Sequence, residues 1–503
     1  MARDRKWVQS SPYWLDRQAC AWASLCGLHH LRKDPAQGGI LYHDDHDEVR
    51  SELRKRATNW EEGAPRLDTK RNTNDRRRIL RDVPDYVTRY APLVHLYSGE
   101  QFWPSDIREH VEHMTVFVDG EALNTTDGEW NLHNLHLLND KGRHVILRSN
   151  DDVESRPDWL HSHHNIPEPF EEDPGNIFEK PSRIHAGTNP VNREPTTWYD
   201  VDKEHPLHRI ANPRRYGSDT DRAKRLAPRG HKPDADGYSK APAILIVVDK
   251  GSGIVDAFWF FFYSYNLGQT VLGLRFGNHV GDWEHCMVRF ENGTPRGVFF
   301  SEHEGGQAYA WEAVEKSDND RPIIYSAIGS HAMYPLPGPH PYIIPFGLLK
   351  DVTDKGPLWD PSLNRYAYHY DYAHDKPVPI HDDDDEVGDE VGDGVGDEVG
   401  DGVGDGVGDG ADGPEIANSN TYLDSLVPAA ENPKAPTAWF HFDGRWGDEL
   451  YSLADPRQWR LFGQYHYVTG PDGPRFKTLN RSKLCQVDSC RITYELDPHG
   501  KWY

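Results

Sequence analysis

The sequence contains few cysteines and no long hydrophobic run. Five cysteines in 503 residues are too few for a disulfide framework, so we expect free thiols, although Cys485 and Cys490 could close a small loop in an oxidising compartment. The most apolar runs, residues 241–248 and 257–263, are far shorter than the roughly 20 residues that a membrane-spanning helix needs. We therefore predict buried strands at these runs and no transmembrane segment.

Positive charge is also scarce. The 56 Lys and Arg residues are outnumbered by 81 Asp and Glu residues, which gives a formal net charge of -25. A nucleic-acid-binding protein needs a basic surface, so nucleic acid is not an expected partner. Residues 19–28 are mildly apolar but follow a lead of mixed charge, so no secretory signal is expected either.

The composition divides the chain into four regions. Residues 1–81 form a mixed helical and poorly ordered N-terminal extension, and residues 82–380 form the core, with a long insertion rich in Pro, His and Arg at about 157–240. Residues 381–416 form an acidic low-complexity loop in which EVGD-type units repeat every four residues. Residues 417–503 return to a folded composition and are expected to pack back on the core.

Short apolar runs recur through the core region, usually separated by Gly, Pro, Asn or Asp. Predicted strands lie at residues 115–118, 145–147, 243–248, 258–265, 271–276, 285–290, 297–300 and 323–327. No long helical pattern intervenes. The sequence therefore predicts a mainly β protein, an antiparallel β-sandwich with long loops, peripheral N-terminal helices and a disordered acidic insertion.

The most informative stretch is GNHVGDWEHCMVRF, residues 277–290. Successive side chains of a strand point to opposite sides, so Asp282 and Glu284 share the face that carries Cys286. Two carboxylates at the edge of a core cost free energy unless a positive charge lies between them. A bound cation or an arginine such as Arg275 would supply that charge.

His279 adds one imidazole to the two carboxylates. Hard oxygen ligands with a single nitrogen suit Mg²⁺ or Ca²⁺, whereas Zn²⁺ usually recruits more His or Cys. We predict a divalent cation, Mg²⁺ or Ca²⁺ rather than Zn²⁺ or Mn²⁺, held by His279, Asp282 and Glu284.

Other histidines follow short strands or form small clusters. His303 and His331 each lie just after a predicted strand, where loops could bring them towards the first cluster or leave them as hydrogen-bonding loop residues. Residues 109–113 (EHVEH) lack the order of a zincin motif. Residues 161–164 (HSHH) and 369–374 could bind a metal, but we interpret them as ordinary surface histidines in polar loops.

Five motifs together resemble the vacuolar protein sorting-associated protein 62 family. They are FWFFFYSYNLG (258–268), FGNHVGDWEH (276–285), FSEHEGG (300–306), YSAIGSHAMYP (325–335) and DVTDKGPLWDPSLN (351–364), and residues 84–107 and GRWGD (444–448) are similar to its fungal members. The resemblance covers roughly residues 82–474 apart from the insertions. It implies a link to vacuolar sorting.

A more distant resemblance is to the necrosis- and ethylene-inducing peptide-like cytolysins, which carry a GHRHDWE heptapeptide on a β-sandwich. In that family the first His, the Asp and the Glu bind a divalent cation at the pole that recognises sphingolipid sugar headgroups. The matching positions here are His279, Asp282 and Glu284. Gly281 replaces the second His, and Val271 stands at about the spacing of a further Asp ligand.

Our preferred hypothesis is a divalent-cation-binding protein whose loops recognise a small polar ligand, a glycan or a lipid headgroup. Trp311 and Tyr334 are candidates for stacking against a sugar, and core packing is the alternative for each ring. The competing hypothesis is a metal-dependent enzyme of hydrolase or lyase type, in which His303 or His331 acts as general base or acid. A scaffold protein without a site is a third alternative. The expected location is intracellular, in the cytoplasm or at the vacuole.

Overall fold

The computed structural model describes residues 11–32, 80–123, 129–141, 144–155, 157–162, 231–271, 273–303, 305–341, 350–375, 421–487 and 490–496. The acidic repeat of residues 381–416, most of the N-terminal extension and the centre of the 157–240 insertion lie outside these residues.

The described residues contain three α-helices and 22 β-strands. The helices are α1 (Trp14–Ala23), α2 (Asp85–Arg89) and α3 (Ile107–Glu112). The strands are β1 (Leu25–Cys26), β2 (Leu93–His95), β3 (Met114–Val118), β4 (Glu121–Ala122), β5 (Val145–Ser149), β6 (Ala243–Gly251), β7 (Ile254–Asn266), β8 (Gln269–Val271), β9 (Leu274–Phe276), β10 (His279–Glu291), β11 (Thr294–Glu302), β12 (Gly305–Ala310), β13 (Ile323–Ser326), β14 (Met333–Tyr334), β15 (Gly338–Pro341), β16 (Lys350–Thr353), β17 (Leu358–Trp359), β18 (Arg365–Tyr370), β19 (Leu426–Pro428), β20 (Arg460–Leu461), β21 (Gln464–Tyr465) and β22 (Ile492–Thr493).

An eight-stranded sheet forms the centre of the described structure, in the order β19-β18-β6-β7-β10-β11-β12-β22. Neighbouring strands are antiparallel except for β18 with β6 and β12 with β22. β7 and β10 have 13 residues each and pair along their whole length, from His279 opposite Asn266 to Glu291 opposite Ile254. The 277–290 motif therefore lies at the middle of the sheet.

Both faces of this sheet are buried, which explains the run of aromatic residues in β7. Trp259, Phe261 and Tyr263 pack into one core cluster, and Phe258 and Phe260 pack into the other. A strand exposed on one side would instead alternate apolar and polar residues. Each fully buried side chain of this size contributes about 1.5 to 3 kcal/mol to folding.

Two further layers cover the central sheet. A four-stranded sheet, in the order β14-β13-β2-β17, covers the Trp259 face through residues such as Val94 and Trp359. The strands β3 and β5 and the C-terminal segment cover the opposite face, where Leu147 and Trp439 share a cluster. The mainly β fold predicted from the sequence is confirmed.

One predicted strand needs correction, and the N-terminal extension makes a contact that was not predicted. Residues 271–276, predicted as one strand, contain the β8–β9 hairpin, in which Val271 lies opposite Leu274. The N-terminal extension contributes α1 and β1, and Leu25 of β1 pairs with Leu461 of β20, so its described part contacts the C-terminal part. None of the helices in the described residues has the length and hydrophobicity needed to cross a bilayer.

The cysteines also differ from the expectation of free thiols. Cys20 is bonded to Cys26 and Cys485 to Cys490, whereas Cys286 is free and buried. The bonded cysteines are six and five positions apart. Such a spacing permits a bridge, but the sequence alone does not show whether the thiols are oxidised.

Candidate functional site

The candidate site lies where β10 begins, beside the end of β7. Asp282 lies opposite Tyr263 and Glu284 lies opposite Phe261. Directly opposed residues point to the same side of a sheet, so both carboxylates lie on the face of Tyr263, Phe261 and Cys286. Asp282 and Glu284 are only 4% and 3% exposed.

We call this region the β10 pole. Its residues are His279, Asp282, Glu284, Ser301, His303, His331 and Asp351.

Gly281 fixes the start of the pole. Its φ is +71°, a left-handed conformation that residues with a Cβ rarely adopt. A Cβ at this position would lie 2.1 Å from the backbone oxygen of Trp446, in the GRWGD segment. The heptapeptide's second histidine therefore has no room here.

Asp282 is paired with a buried histidine. Its Oδ2 accepts hydrogen bonds from His331 Nδ1 at 2.8 Å and from Asn266 Nδ2 at 3.2 Å. The second ring nitrogen of His331 lies 3.1 Å from the Phe102 oxygen. Burial alone would lower the pKa of His331, but the charges of Glu100 and Asp282 raise it to about 10, so the ring is an imidazolium that donates from both nitrogens.

His331 also stacks on Tyr263, with ring centroids 3.6 Å apart and planes 4° apart. The residue is fully buried. A buried imidazolium has no lone pair for a general base, so in this arrangement its direct effect is to hold Asp282 in position.

Within the described ranges, Glu284 has no cationic side chain among its hydrogen-bond partners. Its Oε2 accepts a short hydrogen bond from Ser301 Oγ. Burial and the negative charge of Asp282 raise the pKa of Glu284 to about 8, against a smaller opposing effect of Lys477. Arg275, the arginine considered from the sequence, donates to the Gly268 oxygen instead.

Each of the three predicted metal ligands keeps one ligand atom without a hydrogen bond from the described residues. His279 Nδ1 donates to the Gly281 oxygen at 2.6 Å, which leaves the lone pair on Nε2. Burial lowers the pKa of His279, so the ring is neutral at pH 7. Asp282 Oδ1 and Glu284 Oε1 likewise accept no hydrogen bond within the part of the chain that the structure describes.

A second carboxylate–histidine pair joins Asp351 of β16 to His303, which follows β11. Asp351 is fully buried, and its two oxygens accept four hydrogen bonds. The donors are Gln269 Nε2 and Ser330 Oγ at 2.7 Å, Tyr334 OH at 2.7 Å and His303 Nε2 at 2.8 Å. Burial alone would lower the pKa of His303, but the charge of Asp351 raises it to about 9. The side chain of His303 is 36% exposed.

The two rings predicted to stack against a sugar are buried. Trp311 is 6% exposed, packs edge-on against Tyr90 and belongs to the core cluster of the Trp259 face. Tyr334 is also 6% exposed, and its ring stacks on His340 at 3.8 Å. Stacking of a sugar on either ring would require this part of the core to open.

Sequence reasoning missed the residues that hold the pole together, namely Glu100, Asn266, Ser301 and Asp351. Asp351 opens the DVTDKG motif, but its partners are 21 or more positions away except Tyr334, 17 away. No short sequence spacing indicates hydrogen bonds between residues this far apart in the chain.

Across the described residues, one group of three side chains brings its ligand atoms within 4.8 Å of one another, and it lies outside the pole. It consists of Glu109, His161 and His231. The unused atoms of His279, Asp282 and Glu284 are therefore not gathered as closely in this structure.

Comparison with known proteins identifies the family. The family model for vacuolar protein sorting-associated protein 62 matches residues 251–343, the range that contains β10. The putative vacuolar protein sorting-associated protein TDA6 of Saccharomyces cerevisiae is 34% identical over 457 residues, covering 84% of this chain and 73% of that protein. The chain belongs to the vacuolar protein sorting-associated protein 62 family. The family's namesake from the same yeast is 32% identical over 434 residues, covering 80% of this chain and 68% of the namesake. The family membership suggested by the motifs is thus confirmed.

Solved structures similar to this family member are necrosis- and ethylene-inducing proteins. Protein 2 from the causal agent of cocoa's witches' broom disease is 13% identical, with a TM-score of 0.21, over 51% of this chain and 70% of that chain. NLPPya in complex with glucosamine is 15% identical, with a TM-score of 0.14, over 19% and 45%. Scores this low carry no argument about the site.

Proposed function

We propose that the β10 pole binds a divalent cation and, through it, recognises a glycan or a lipid headgroup. His279 Nε2, Asp282 Oδ1 and Glu284 Oε1 would be the protein ligands. The observation that carries the proposal is that these three atoms accept no hydrogen bond from the described residues although their side chains are otherwise held in place. One nitrogen and two carboxylate oxygens favour Ca²⁺ or Mg²⁺.

The charge balance at the pole supports a cation. Asp282 and Asp351 each contact a histidine, whereas among the described residues the Glu284 carboxylate receives a hydrogen bond only from the hydroxyl of Ser301. A buried carboxylate without a cationic contact either takes up a proton or attracts a cation. A divalent ion beside Glu284 would supply the missing charge.

The three ligand atoms of the pole do not all lie within 4.8 Å of one another, so an ion bound there would be partly hydrated. Mg²⁺ usually keeps several waters, and Ca²⁺ takes six to eight oxygen ligands in flexible geometry. Waters would complete the coordination of such an ion. Three protein ligands leave coordination positions that hydroxyl groups of a ligand could take, beside the partly exposed His303.

The family relationship supports a role connected with vacuolar sorting. In such a role a cation-dependent headgroup or glycan site would let the protein select a membrane or a glycosylated cargo.

Ligand recognition is tested with immobilised glycans and with vesicles that carry glycosylated lipids, in calcium, in magnesium and in chelator. We expect binding that requires the cation and is lost in Asp282→Asn. Glu291→Gln is the control, because Glu291 is an exposed carboxylate at the far end of the same strand. Binding that persists in chelator, or equal binding by Asp282→Asn, would rule out recognition through the cation.

A metal-dependent enzyme is the second candidate, and the His303–Asp351 pair favours it. With a pKa near 9, His303 is protonated at neutral pH, so it would act as a general acid rather than a base. Turnover of a hydrolysable glycoside or ester that is lost in His303→Gln, with cation binding retained, would establish this alternative.

A further inference from the structure

Glu109, His161 and His231 come from three separate segments and meet at one point, which we call the Glu109 cluster. Glu109 lies on α3, His161 follows the 3₁₀ turn Asp158–Leu160, and His231 lies 70 positions beyond His161 in the sequence. Glu109 lies in the EHVEH motif and His161 in the HSHH motif. From the sequence alone, the histidines of these motifs cannot be distinguished from ordinary surface histidines.

The distances in the cluster suit a transition metal. Glu109 Oε2 lies 2.9 Å from His161 Nε2 and 3.8 Å from His231 Nε2. Two ligands that are each about 2.0 to 2.1 Å from a tetrahedral zinc ion lie about 3.3 Å apart, between the two observed values. The centroids of the two imidazole rings lie 3.9 Å apart with their planes at 28°, and one ligand atom from each of the three residues lies within 4.8 Å of the others.

The backbone holds His161 in an uncommon conformation at this point. Its φ is +52°, in the left-handed region. The position is fixed on both sides, because His161 N donates to the Asp158 oxygen at 3.1 Å and the His161 oxygen accepts from Trp103 N at 3.3 Å. Such strain persists where the surroundings over-determine it, and it is frequent at ligand sites.

The side chains are shielded from solvent but not fully satisfied. The histidines have side-chain exposures of 7% and 14%, and Glu109 is 38% exposed. The Nδ1 atoms of His161 and His231 are buried without a hydrogen-bond partner in the described part of the chain. A histidine that binds a metal through Nε2 carries its proton on Nδ1, where it usually donates to a second partner such as water.

We propose that the Glu109 cluster is a second metal site, which takes a transition metal of the zinc type through Glu109 Oε2 and the Nε2 atoms of both histidines. Two imidazoles and one carboxylate are a borderline donor set, unlike the oxygen-rich pole, so the two sites would select different metals. The bound ion would cross-link α3 to two segments that are distant in sequence, and closing such a loop stabilises the fold. Remaining coordination positions would be filled by water.

The test is competition titration of zinc into the full-length protein, together with the visible spectrum of the cobalt-substituted protein. Wild type is expected to bind one zinc ion at this site and to show the d–d bands of four-coordinate cobalt. Glu109→Gln and His161→Asn should each weaken zinc binding at least about tenfold. Asn tolerates a positive φ, so His161→Asn removes the imidazole without adding backbone strain.

Two controls separate this site from other zinc binding. Asp282→Asn at the pole should keep the zinc ion, and so should His374→Ala, which removes an exposed histidine paired with Asp371. If His161→Asn does not fold, Glu109→Gln alone tests the site. The Glu109 side chain is partly exposed, so its replacement is expected to leave the fold intact. A folded wild type that binds no zinc, or unchanged zinc affinity in the folded cluster variants, would overturn the proposal. The cation site at the pole is tested separately, by calcium and magnesium binding.

Discussion

At the scale of single residues, Gly281 lets β10 leave regular strand geometry just before Asp282. Its positive φ and the close approach of Trp446 both require the absence of a Cβ. The same residue separates His279, whose ring carries an available lone pair, from the two carboxylates. The local geometry of the pole therefore requires glycine at position 281.

Gly281→Ala is expected to lower the free energy of unfolding by about 3 kcal/mol, because the new Cβ would lie 2.1 Å from the Trp446 oxygen in a left-handed backbone. Gly251→Ala is the matched control. Gly251 has a φ of +77° but no heavy atom within 4 Å of its ideal Cβ, so only the backbone cost of about 1 kcal/mol applies. Urea unfolding compares the two variants. Equal losses would contradict the close packing of the GRWGD segment on β10.

Asp282 and Glu284 could be identified from the sequence because strand alternation places both carboxylates on an apolar face. His279 was added because its imidazole lies close to them in the sequence. The sequence analysis considered that a loop could bring His331 to this cluster, where His331 contacts Asp282, but it did not predict Ser301 as the partner of Glu284. His331 is 49 positions from Asp282 and Ser301 is 17 positions from Glu284, and neither distance has a period that a strand or helix would produce.

At the scale of elements, the turn between β13 and β14 ties three parts of the chain together. It carries His331, which donates to Asp282 of β10 and to the Phe102 oxygen of the N-terminal core segment. Gly329 N, in the same turn, donates to Glu100 Oε2 at 2.9 Å. The turn is thus held by two buried carboxylates.

This arrangement predicts a pH dependence of stability. The folded-state pKa of His331, about 10, lies above its ordinary value of 6.5. Its contribution is therefore complete below pH 6.5 and is lost as the pH rises towards 10, by roughly 3 to 5 kcal/mol in total. The groups that face the ring are Glu100, Asp282 and Tyr263.

The measurement is urea unfolding from pH 6 to pH 10 in chelator, with wild type beside His331→Gln. The variant should be less stable at pH 6 and should lose much less stability on going to pH 10. Parallel pH curves would show that His331 is not protonated in the folded protein. Titrating groups that do not interact with His331 are common to both proteins and cancel in the difference.

Strands were predicted correctly where a continuous apolar run was the dominant sequence pattern. The apolar runs of β6, β7 and β11 are too strong to be anything but strands in a sheet buried on both faces. The β8–β9 hairpin was read as one strand because apolar residues flank its turn, and β1 was missed because its two residues gain their strand character only by pairing with β20.

At the scale of the whole molecule, two properties are visible in the folded chain but not in its composition. The disulfides Cys20–Cys26 and Cys485–Cys490 are compatible with an oxidising compartment, which the cysteine count did not indicate. The Glu109 cluster assembles from segments that are 52 and 70 positions apart, so only the folded chain shows it. Family membership, by contrast, could be read from motifs in their order along the chain.

Binding of a divalent cation at the pole is tested by calorimetric titration of calcium and magnesium into the purified protein. Wild type and Glu291→Gln should each bind one ion, and Glu284→Gln should bind none, because its amide replaces a charged ligand. Absence of binding by folded wild type at millimolar calcium and magnesium, or unchanged binding by Glu284→Gln, would contradict the account.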